Sequence, residues 1–252
     1  MEHAADPSHP RYRSLLMRHR LEVAAKKGML ADSAMIAHGR GEAYDYLLGE
    51  TTIPSAHAAT QIALQALVQA EHPVLSVNGN VVALAGDDML RLADKIGCPL
   101  EVNIFYRTPE RMEALLTDLN ERKERLNLEV DILGANPDAT IPGLKGPRAK
   151  CESKGILQAD VILVPLEDGD RCEALVAMGK TVIVVDLNPL SRSSQRGSIT
   201  IVDELSRCLE NMLTMETETL PSLDSYDHNK TLQEALNAIV GGMKSKFSEA
   251  KE

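Results

Sequence analysis

The sequence predicts an α/β fold in which a doubly wound, mostly parallel sheet is flanked by helices. Along the 252 residues, short runs of aliphatic and β-branched residues alternate with longer amphipathic stretches. The short runs are almost continuously apolar, which is typical of strands buried on both faces of a parallel sheet. Five of these runs end directly in polar clusters, as strands do at the ligand-binding edge of a Rossmann-like fold.

The element predictions follow from this alternation. Strands are predicted at Ala34–Ala37, Val74–Val77, Leu100–Phe105, Glu129–Leu133, Val161–Val164, Val182–Val185 and Ile199–Val202. Helices are predicted at Tyr12–Lys27, Pro54–Gln69, Asp87–Ile96, Pro109–Leu126, Arg171–Met178 and Asp203–Met215. Regular alternation of the two element types indicates one layer of strands between two layers of helices.

One α/β domain is predicted over residues 9–214, followed by a linker and a C-terminal helix over residues 215–252. Met1–Pro10 has the composition of a loose terminus, and Met215–Asn229 is polar enough to predict a linker. Thr231–Phe247 carries apolar residues at helical spacing. We therefore expect a helix there that packs on the domain or on a second subunit.

Composition restricts the possible partners. The net charge of −10 argues against nucleic acid, which requires a basic face. The four cysteines are widely separated, which favours reduced thiols in a cytoplasmic protein over a metal or redox motif. No apolar run approaches the roughly 20 residues of a membrane span, so no membrane association is expected.

Polar residues follow five of the predicted strands. Because the carboxyl ends of parallel strands meet at one edge of a sheet, we expect these residues to line a single pocket. Any one cluster also fits an ordinary surface loop, but five together favour a site. The candidates in these clusters are His38, Arg40, Asn78, Asn80, Glu101, Asn103, Arg107, Asp168, Asp170, Asp186 and Asn188.

Arg40 lies between two glycines, which would let backbone N–H groups approach an anion while the guanidinium forks two bonds to it. Arg18 is a second candidate anion contact or a solvated helix arginine. His38 is a candidate general base or a hydrogen-bonded polar residue. Neither a P-loop nor a GxGxxG motif follows the first strand.

A magnesium site is predicted at Asp168 and Asp170, since Mg²⁺ prefers carboxylate oxygens. The alternative is that these residues cap the helix that starts near Arg171. Arg107 and Arg111 follow the third predicted strand. They are candidate anchors for a substrate phosphate or members of an exposed helix face.

Six motifs in order carry a family resemblance, which spans about His9 to Arg207. They are HPRYRSLLMR, IAHGRGEAYDYLLGE, SVNGNVVAL, LEVNIFYRTPER, ADVILVPLEDGDRCEALVAMGK and VIVVDLNPLSR. Together they resemble the archaeal-type phosphopantothenate synthetases, which are 4-phosphopantoate–β-alanine ligases. The resemblance implies a Rossmann-like homodimer that acts in coenzyme A biosynthesis. It implies ATP-dependent joining of 4-phosphopantoate and β-alanine through an acyl adenylate, with release of AMP and pyrophosphate.

The resemblance also implies which residues bind each substrate. Glu204 stands where the family usually has Asn, so a side-chain amide donor is missing there, whereas a backbone contact does not need one. The ATP contacts implied are Arg18, Arg40, Asp186, Leu187, Asn188, Arg192, Ser193, Glu204 and Leu205. We assign Asn78, Asn80, Glu101, Asn103 and Arg107 to substrate binding, and Arg40, His38 and Lys180 to catalysis.

Two further expectations concern function and assembly. The alternative to a ligase is a nucleotide-binding regulatory module without chemistry, which would need fewer charged groups. A kinase is disfavoured by the absence of a P-loop. Pro54–Gln69 is apolar on more than one face, so we expect it to cover the sheet and also to contact a second subunit of a homodimer.

Overall fold

The computed structural model describes residues 6–249, with side chains described as far as Met243. The strands are β1 Pro73–Val77, β2 Leu100–Val102, β3 Ile132–Leu133, β4 Ala139–Thr140, β5 Lys150–Cys151, β6 Val161–Pro165, β7 Thr181–Val185 and β8 Ile199–Ile201. The α-helices are α1 Tyr12–Lys26, α2 Ala34–Leu48, α3 Pro54–Gln69, α4 Gly79–Ile96, α5 Pro109–Leu126, α6 Gly169–Ala177, α7 Arg192–Arg196, α8 Leu205–Thr214 and α9 His228–Glu249.

Six parallel strands form the main sheet in the order β3-β2-β1-β6-β7-β8. Chain order therefore runs outward from β1 in one direction and from β6 in the other, so the order reverses between these two neighbouring strands. This is the doubly wound, Rossmann-like arrangement, which confirms the predicted fold class. β4 and β5 form a separate antiparallel pair in the excursion between β3 and β6.

The strands are buried on both faces, as their continuous hydrophobicity predicts. Alternate residues point to opposite sides. Leu163, Ile183 and Val185 belong to the larger core with α3, α4 and α8. Ile162 and Val184 belong to the smaller core on the other face, which includes Leu175 of α6. Each face of the sheet is therefore covered by helices, and the polar strand ends are left at the edges.

The predicted strand at Ala34–Ala37 is wrong, because this run forms the first turn of α2. Four apolar residues fit a buried strand and a helix equally well, and the two glycines downstream favoured a loop. The helix instead continues through Gly39 and Gly41 to Leu48. It ends at Gly49, whose positive φ of 87° is the left-handed conformation that closes helices. His38 and Arg40 therefore project from a helix and do not follow a strand.

Helix α4 begins eight residues earlier than predicted, at Gly79 and not at Asp87. The side chain of Asn78 caps it by accepting a hydrogen bond of 3.1 Å from the backbone N–H of Val81. A kink at Ala85 separates the early part from the more regular remainder. The predicted loop after β1 is thus a helix N-terminus, and β2 and β3 are shorter than the apolar runs that contain them.

The apolar faces of α3 are buried inside the subunit. Residues such as Ile62, Leu64 and Leu67 pack in the main core, and α3 contacts β8, α8 and α9. Val68 of α3 is nevertheless 43% exposed, so the expectation that α3 also contacts a second subunit stays a prediction. The predicted C-terminal helix is present as α9, which buries Leu232 and Ile239 in the same core.

The predicted loose terminus, Met1–Pro10, lies outside the described residues as far as residue 5, and residues 250–252 of the C-terminal prediction lie outside them as well. Within residues 6–249, no helix combines the length and the apolar character that crossing a membrane would require.

Candidate active site

A cavity of about 630 Å³ opens at the carboxyl edge of the main sheet, where the strand order reverses between β1 and β6. Open α/β sheets bind ligands at this position, and small-molecule sites usually measure roughly 300–1,000 Å³. Residues of α1 and α2 form its other wall. The predicted site residues that line it are His38, Arg40, Asn78, Asn80, Asp168, Leu187, Glu204 and Leu205.

The cavity lining holds six arginines and six carboxylates, so what matters is which arginines are left without a carboxylate partner. The arginines in the lining are Arg11, Arg13, Arg40, Arg111, Arg148 and Arg207. Among the described side chains, Arg40 and Arg111 form no ion pair. Arg111 donates to the carbonyls of Tyr106 at 2.7 Å and Leu30 at 3.3 Å, and its buried Nε has no partner. Two positive charges in the lining are thus uncompensated, which suits anionic ligands.

Glu42 of α2 ties this helix to α1. Its carboxylate accepts hydrogen bonds from Arg18 at 2.8 Å, from Arg11 at 3.1 Å and from the hydroxyl of Ser14. Burial alone would raise the pKa of Glu42, but the hydrogen bonds from Arg18 and Ser14 lower it below its usual value. Glu42 lines the cavity, whereas Arg18 lies behind it. Arg18 therefore reaches the cavity only through its contact with Glu42.

His38 lines the same wall and is half-buried. Burial lowers its pKa, and the nearby carboxylates of Glu42 and Glu204 only partly oppose that shift. The imidazole is therefore neutral at pH 7. Its buried Nε2 has no hydrogen-bond partner among the described residues. A neutral ring nitrogen without a partner beside the cavity can accept a proton or a hydrogen bond from a ligand.

A network of buried charges supports the floor of the cavity. Glu167 is shared by two arginines: Arg171 donates to it at 2.6 Å, and Arg148 forms an ion pair with it at 2.9 Å. Arg148 also pairs with Asp168 at 2.5 Å. Burial lowers the pKa of the fully enclosed Arg171, although Glu167 partly counters this effect. Of these four residues, only Asp168 is substantially exposed, at 49% of its side chain.

The predicted magnesium ligands do not fit a metal site held by the protein. Asp168 pairs with Arg148, and Asp170, which is 70% exposed, pairs with Arg192 at 2.6 Å. In the part of the chain that the structure describes, no three His, Cys, Asp or Glu side chains are grouped as metal ligands would be. The alternative considered for Asp168 holds in part, because it occupies the N-cap position of α6, although its side chain makes no capping bond.

The segment after β7 is ordered by its own side chains. Asp186 accepts from the N–H of Asn188 at 2.9 Å and from the hydroxyl of Ser191 at 2.5 Å. Burial raises the pKa of Asp186. Ser193 is buried and donates to the carbonyl of Glu167 at 2.6 Å. Only Leu187 of this segment reaches the cavity lining, so its polar residues support the wall from behind.

Glu204 and Leu205 close the cavity after β8. Glu204 caps α8, since its carboxylate accepts from the backbone N–H groups of Ser206 at 3.0 Å and Arg207 at 3.1 Å. Its side chain also lies 3.5 Å from Arg13 of α1. The carboxylate at this position therefore has a capping role that the sequence did not indicate.

Comparisons with known proteins identify the family. A family model described as phosphopantothenate/pantothenate synthetase matches residues 55–242. The chain is 48% identical over 237 residues to a protein of Thermococcus kodakarensis, covering 91% of this chain and 89% of that protein. It is 46% identical over 249 residues to a protein of Methanosarcina mazei, covering 96% of each. Both relatives are named 4-phosphopantoate–β-alanine ligase.

The chain belongs to the phosphopantothenate/pantothenate synthetase family. This confirms the resemblance drawn from the six motifs. The segments after β1, β2, β6 and β7 and the α1–α2 wall, which carry those motifs, all contribute residues to one cavity.

The structure does not support the predicted catalytic role of Lys180. Lys180 immediately precedes β7 and so lies at the amino edge of the sheet, opposite the cavity. Its Nζ donates to the carbonyls of Leu157 at 2.7 Å and Ala159 at 2.5 Å. Burial lowers the pKa of Lys180. The lysine ties the start of β7 to the turn before β6.

Glu101 and Asn103 also lie outside the cavity lining, so the structure does not bring these two predicted substrate contacts to the site. Glu101 is fully buried and accepts from the backbone N–H groups of Glu152 at 3.0 Å and Ile156 at 2.7 Å. Asn103 donates to the carbonyls of Arg148 at 3.2 Å and of Lys150. Polar residues in a buried strand here satisfy the backbone of an irregular segment, as any buried backbone group requires.

Arg107 turns away from the cavity. Its guanidinium donates to the carbonyl of Gly134, and it lines a separate groove along α5. Arg111 reaches the cavity instead. Thr108 caps α5 by accepting from the N–H of Arg111, which fixes this arginine in the first helical turn. Of the two candidate phosphate anchors, Arg107 and Arg111, the structure therefore brings only Arg111 to the cavity.

Sequence reasoning missed Arg148 altogether. It lies in a short 3₁₀ turn, Pro147–Ala149, within the excursion that contains β4 and β5. Gly146-Pro147 before it signals a turn, but no local pattern places that turn at the site. Only the folded chain brings Arg148 to Asn103 after β2 and Glu167 after β6. Glu42 lies within the second motif, and sequence reasoning assigns it no role. Its distance along the chain from the arginines of α1 does not indicate that they pair.

Proposed function

We propose that the protein is an ATP-dependent 4-phosphopantoate–β-alanine ligase that makes 4′-phosphopantothenate for coenzyme A biosynthesis. The carrying observation is identity of 44–48% to ligases of that name over 84–96% of this chain. The cavity supports the proposal, because its uncompensated arginines suit two phosphorylated substrates. ATP and 4-phosphopantoate are those substrates, and β-alanine is the third.

The proposed chemistry proceeds through an acyl adenylate. The carboxylate of 4-phosphopantoate attacks the α-phosphorus of ATP, which forms a carboxyl–phosphate bond and releases pyrophosphate. The amine of β-alanine then attacks the acyl carbon, and AMP leaves with the former carboxylate oxygen. Activation is needed because direct attack on a carboxylate would have to expel an oxide ion. The products are therefore AMP, pyrophosphate and 4′-phosphopantothenate.

The two uncompensated arginines define opposite ends of the cavity. Arg40 lies on α2 near the segment after β7, where its charge acts on Asp186. Arg111 lies beside the segment after β2, where it contacts Tyr106. We assign Arg40 to the ATP phosphates and Arg111 to the 4-phosphate of pantoate. The reacting carboxylate then meets the α-phosphate between them, and the arginines reduce the repulsion between the two anions.

His38 is our candidate for accepting a proton from the β-alanine ammonium. Its Nε2 has no partner among the side chains described, and its lowered pKa keeps it in the neutral form. An amine with an ordinary pKa of about 10 would not give its proton to such an imidazole. The arginines that surround the cavity favour the transfer, because positive charge lowers the pKa of a bound ammonium group.

Other parts of the proposal rest on the family resemblance. The implied ATP contacts at Arg18, Asp186, Asn188, Arg192 and Ser193 surround the cavity wall without lining it. Mg²⁺ remains part of the proposed ATP chemistry, but Asp168 and Asp170 do not fit as its ligands, so no step here depends on a metal. A homodimer is proposed as well. A cytoplasmic location is supported by four buried cysteines that are unpaired thiols.

Pyrophosphate release tests the proposal. Purified protein with ATP, 4-phosphopantoate and β-alanine should release pyrophosphate and AMP in equal amounts, and omission of β-alanine should limit release to about one equivalent per active site. Release of ADP would indicate a kinase. Binding of ATP without any turnover would favour the alternative, a regulatory nucleotide-binding module.

A further inference from the structure

We propose that Arg148 binds a substrate carboxylate, and that Asp168 is an internal competitor for the same edge of its guanidinium. The identity of the substrates rests on the proposed ligase function, whereas the geometry of the site does not. Arg148 lies in no recognised motif, and Asp168 was expected to hold a metal. Their contacts assign them to a different task.

Arg148 is held rigidly with one edge toward the cavity. Its side chain is only 8% exposed. Its Nε donates to the side chain of Asn103 at 3.3 Å, and Nη2 donates to the carbonyl of Asn103 at 3.3 Å. Asn103 in turn donates to the carbonyl of Arg148. A guanidinium locked in this way loses little side-chain entropy when it binds a ligand.

Apart from Asp168, one buried carboxylate faces two buried arginines at this point. Arg148 and Arg171 both contact Glu167, whose side chain is 1% exposed. Glu101 lies deeper, and its carboxylate accepts backbone N–H groups and contacts neither guanidinium. The second carboxylate in contact with Arg148 is therefore Asp168, which is half-exposed in the cavity lining.

The contact with Asp168 indicates what kind of ligand replaces it. One oxygen of Asp168 lies 2.5 Å from Nη1 of Arg148, so the position accommodates a carboxylate oxygen. Asp168 is attached to the exposed start of α6 and is free to turn toward the cavity, while Glu167 keeps Arg148 paired. An incoming carboxylate therefore displaces Asp168 without leaving a buried arginine uncompensated.

The position of Arg148 agrees with this role. Arg148 is supported by Asn103 after β2 and by Glu167 after β6, at the centre of the carboxyl edge. Arg40 and Arg111, our candidates for the two phosphate-bearing ends, lie on either side. The ligand is thus a carboxylate, which either 4-phosphopantoate or β-alanine supplies.

The test measures binding by calorimetric titration in the wild-type protein, Asp168→Asn and Arg148→Lys. Each protein is titrated with 4-phosphopantoate and, separately, with β-alanine. Every titration is done with and without a non-hydrolysable ATP analogue. Asp88→Asn is the matched control, since Asp88 forms an exposed ion pair with Arg91 on α4, away from the cavity. Removal of an internal competitor that occupies most Arg148 side chains should lower Kd about five- to tenfold for one of the two ligands. Arg148→Lys should raise the same Kd about tenfold or more, because lysine cannot reproduce the fixed fork.

Tighter binding by Asp168→Asn is the decisive result, because a merely structural aspartate would weaken binding or leave it unchanged when replaced. The ligand that responds identifies the source of the carboxylate. An unchanged or raised Kd for both ligands in Asp168→Asn overturns the proposal, whether or not Arg148→Lys folds. Turnover is measured separately: an inactive wild-type protein that shows the binding shift refutes the ligase function alone, and an active one without the shift refutes this inference alone.

Discussion

The carboxylates that each cavity arginine can reach decide what it can do. Arg207 is held between Asp45 and Asp203, so its charge serves the folded structure. Arg40 is exposed and, among the described side chains, pairs with no carboxylate. An arginine that is not committed to an internal partner can bind phosphate without first breaking an ion pair. Arg40 should therefore contribute more to substrate binding than to stability.

Arg40→Ala should lower kcat/KM of the proposed ligase reaction by roughly 10- to 150-fold, which corresponds to about 1.5–3 kcal/mol for one charge-assisted phosphate contact. The free energy of unfolding should change by less than about 0.5 kcal/mol, because Arg40 is solvent-exposed. Pyrophosphate release and urea unfolding measure the two effects. Arg91→Ala, at an exposed position on α4, is the control. A variant with near wild-type kcat/KM would show that Arg40 does not bind the phosphates.

Asp186 should affect ATP through the segment that it orders. Its two oxygens hold the N–H of Asn188 and the hydroxyl of Ser191, and Leu187 between them lines the cavity. Asp186→Ala should raise the Kd of ATP about tenfold, since loss of both contacts loosens this wall. Asp186→Asn should restore most of the affinity if an acceptor toward Asn188 is what matters. An unchanged Kd in Asp186→Ala would contradict any role in nucleotide binding.

At the scale of elements, the cavity depends on how α2 is fixed to α1. Glu42 receives hydrogen bonds from three side chains of the α1 region, namely Arg11, Ser14 and Arg18. The same helix carries His38 and Arg40 into the cavity wall. A substitution at Glu42 should therefore make the positions of His38 and Arg40 less fixed, although neither residue is itself changed.

Glu42→Gln should reduce the free energy of unfolding at pH 7 by about 1 kcal/mol, a modest value because Arg18 and Arg11 are partly exposed and screened. The pKa of Glu42 is lowered in the folded state, so its ionised form stabilises the fold above the ordinary pKa of glutamate. That contribution is lost as the pH falls through the lowered pKa. Urea unfolding from pH 7 to about pH 3 should show the two proteins converging, and a constant difference across the series would contradict this explanation.

The elements differ in how far the sequence determines them. β6 and β7 were predicted almost to the residue, because β-branched runs bounded by Gly, Asp and Asn allow few alternatives. α2 was mistaken for a strand, since four apolar residues do not distinguish a buried strand from a helical turn. The sequence does mark the end of α2, because Gly49 after Leu48 is a glycine that ends a helix. The four apolar residues by themselves do not include this signal.

At the scale of the whole molecule, parallel topology explains why part of the site was predictable. Strand ends of one sheet converge, so Asn78, Asp168 and Leu187 meet at one cavity although they are far apart in sequence. Residues before strands or on irregular excursions escape this rule. Lys180 was misplaced for the first reason, and Arg148 was missed for the second, because its position depends on contacts across the fold that no local pattern encodes.

The exposed apolar residues of the surface indicate where a second subunit could bind. Most apolar residues of α3 are buried, and one group of exposed apolar residues lies where α2 and α9 pack on each other. Tyr46, Leu47, Val240 and Met243 are each 36–52% exposed, and the carbonyl of Leu47 lies close to Gly242 of α9. We call these four residues the α2–α9 patch. A two-fold partner that covers this patch would bury it against its own copy, as isologous dimers do.

We predict that the protein is a homodimer through the α2–α9 patch, with a mass by light scattering of twice the 27.5 kDa of one chain at micromolar concentration. Val240→Glu should shift the mass to that of a monomer, because two carboxylates would then face each other across the symmetry axis without water. Val68→Glu, at an exposed position on α3, should leave the dimer intact. A monomeric wild-type protein would refute the dimer. A dimer that survives Val240→Glu but not Val68→Glu would place the interface at the exposed face of α3 instead.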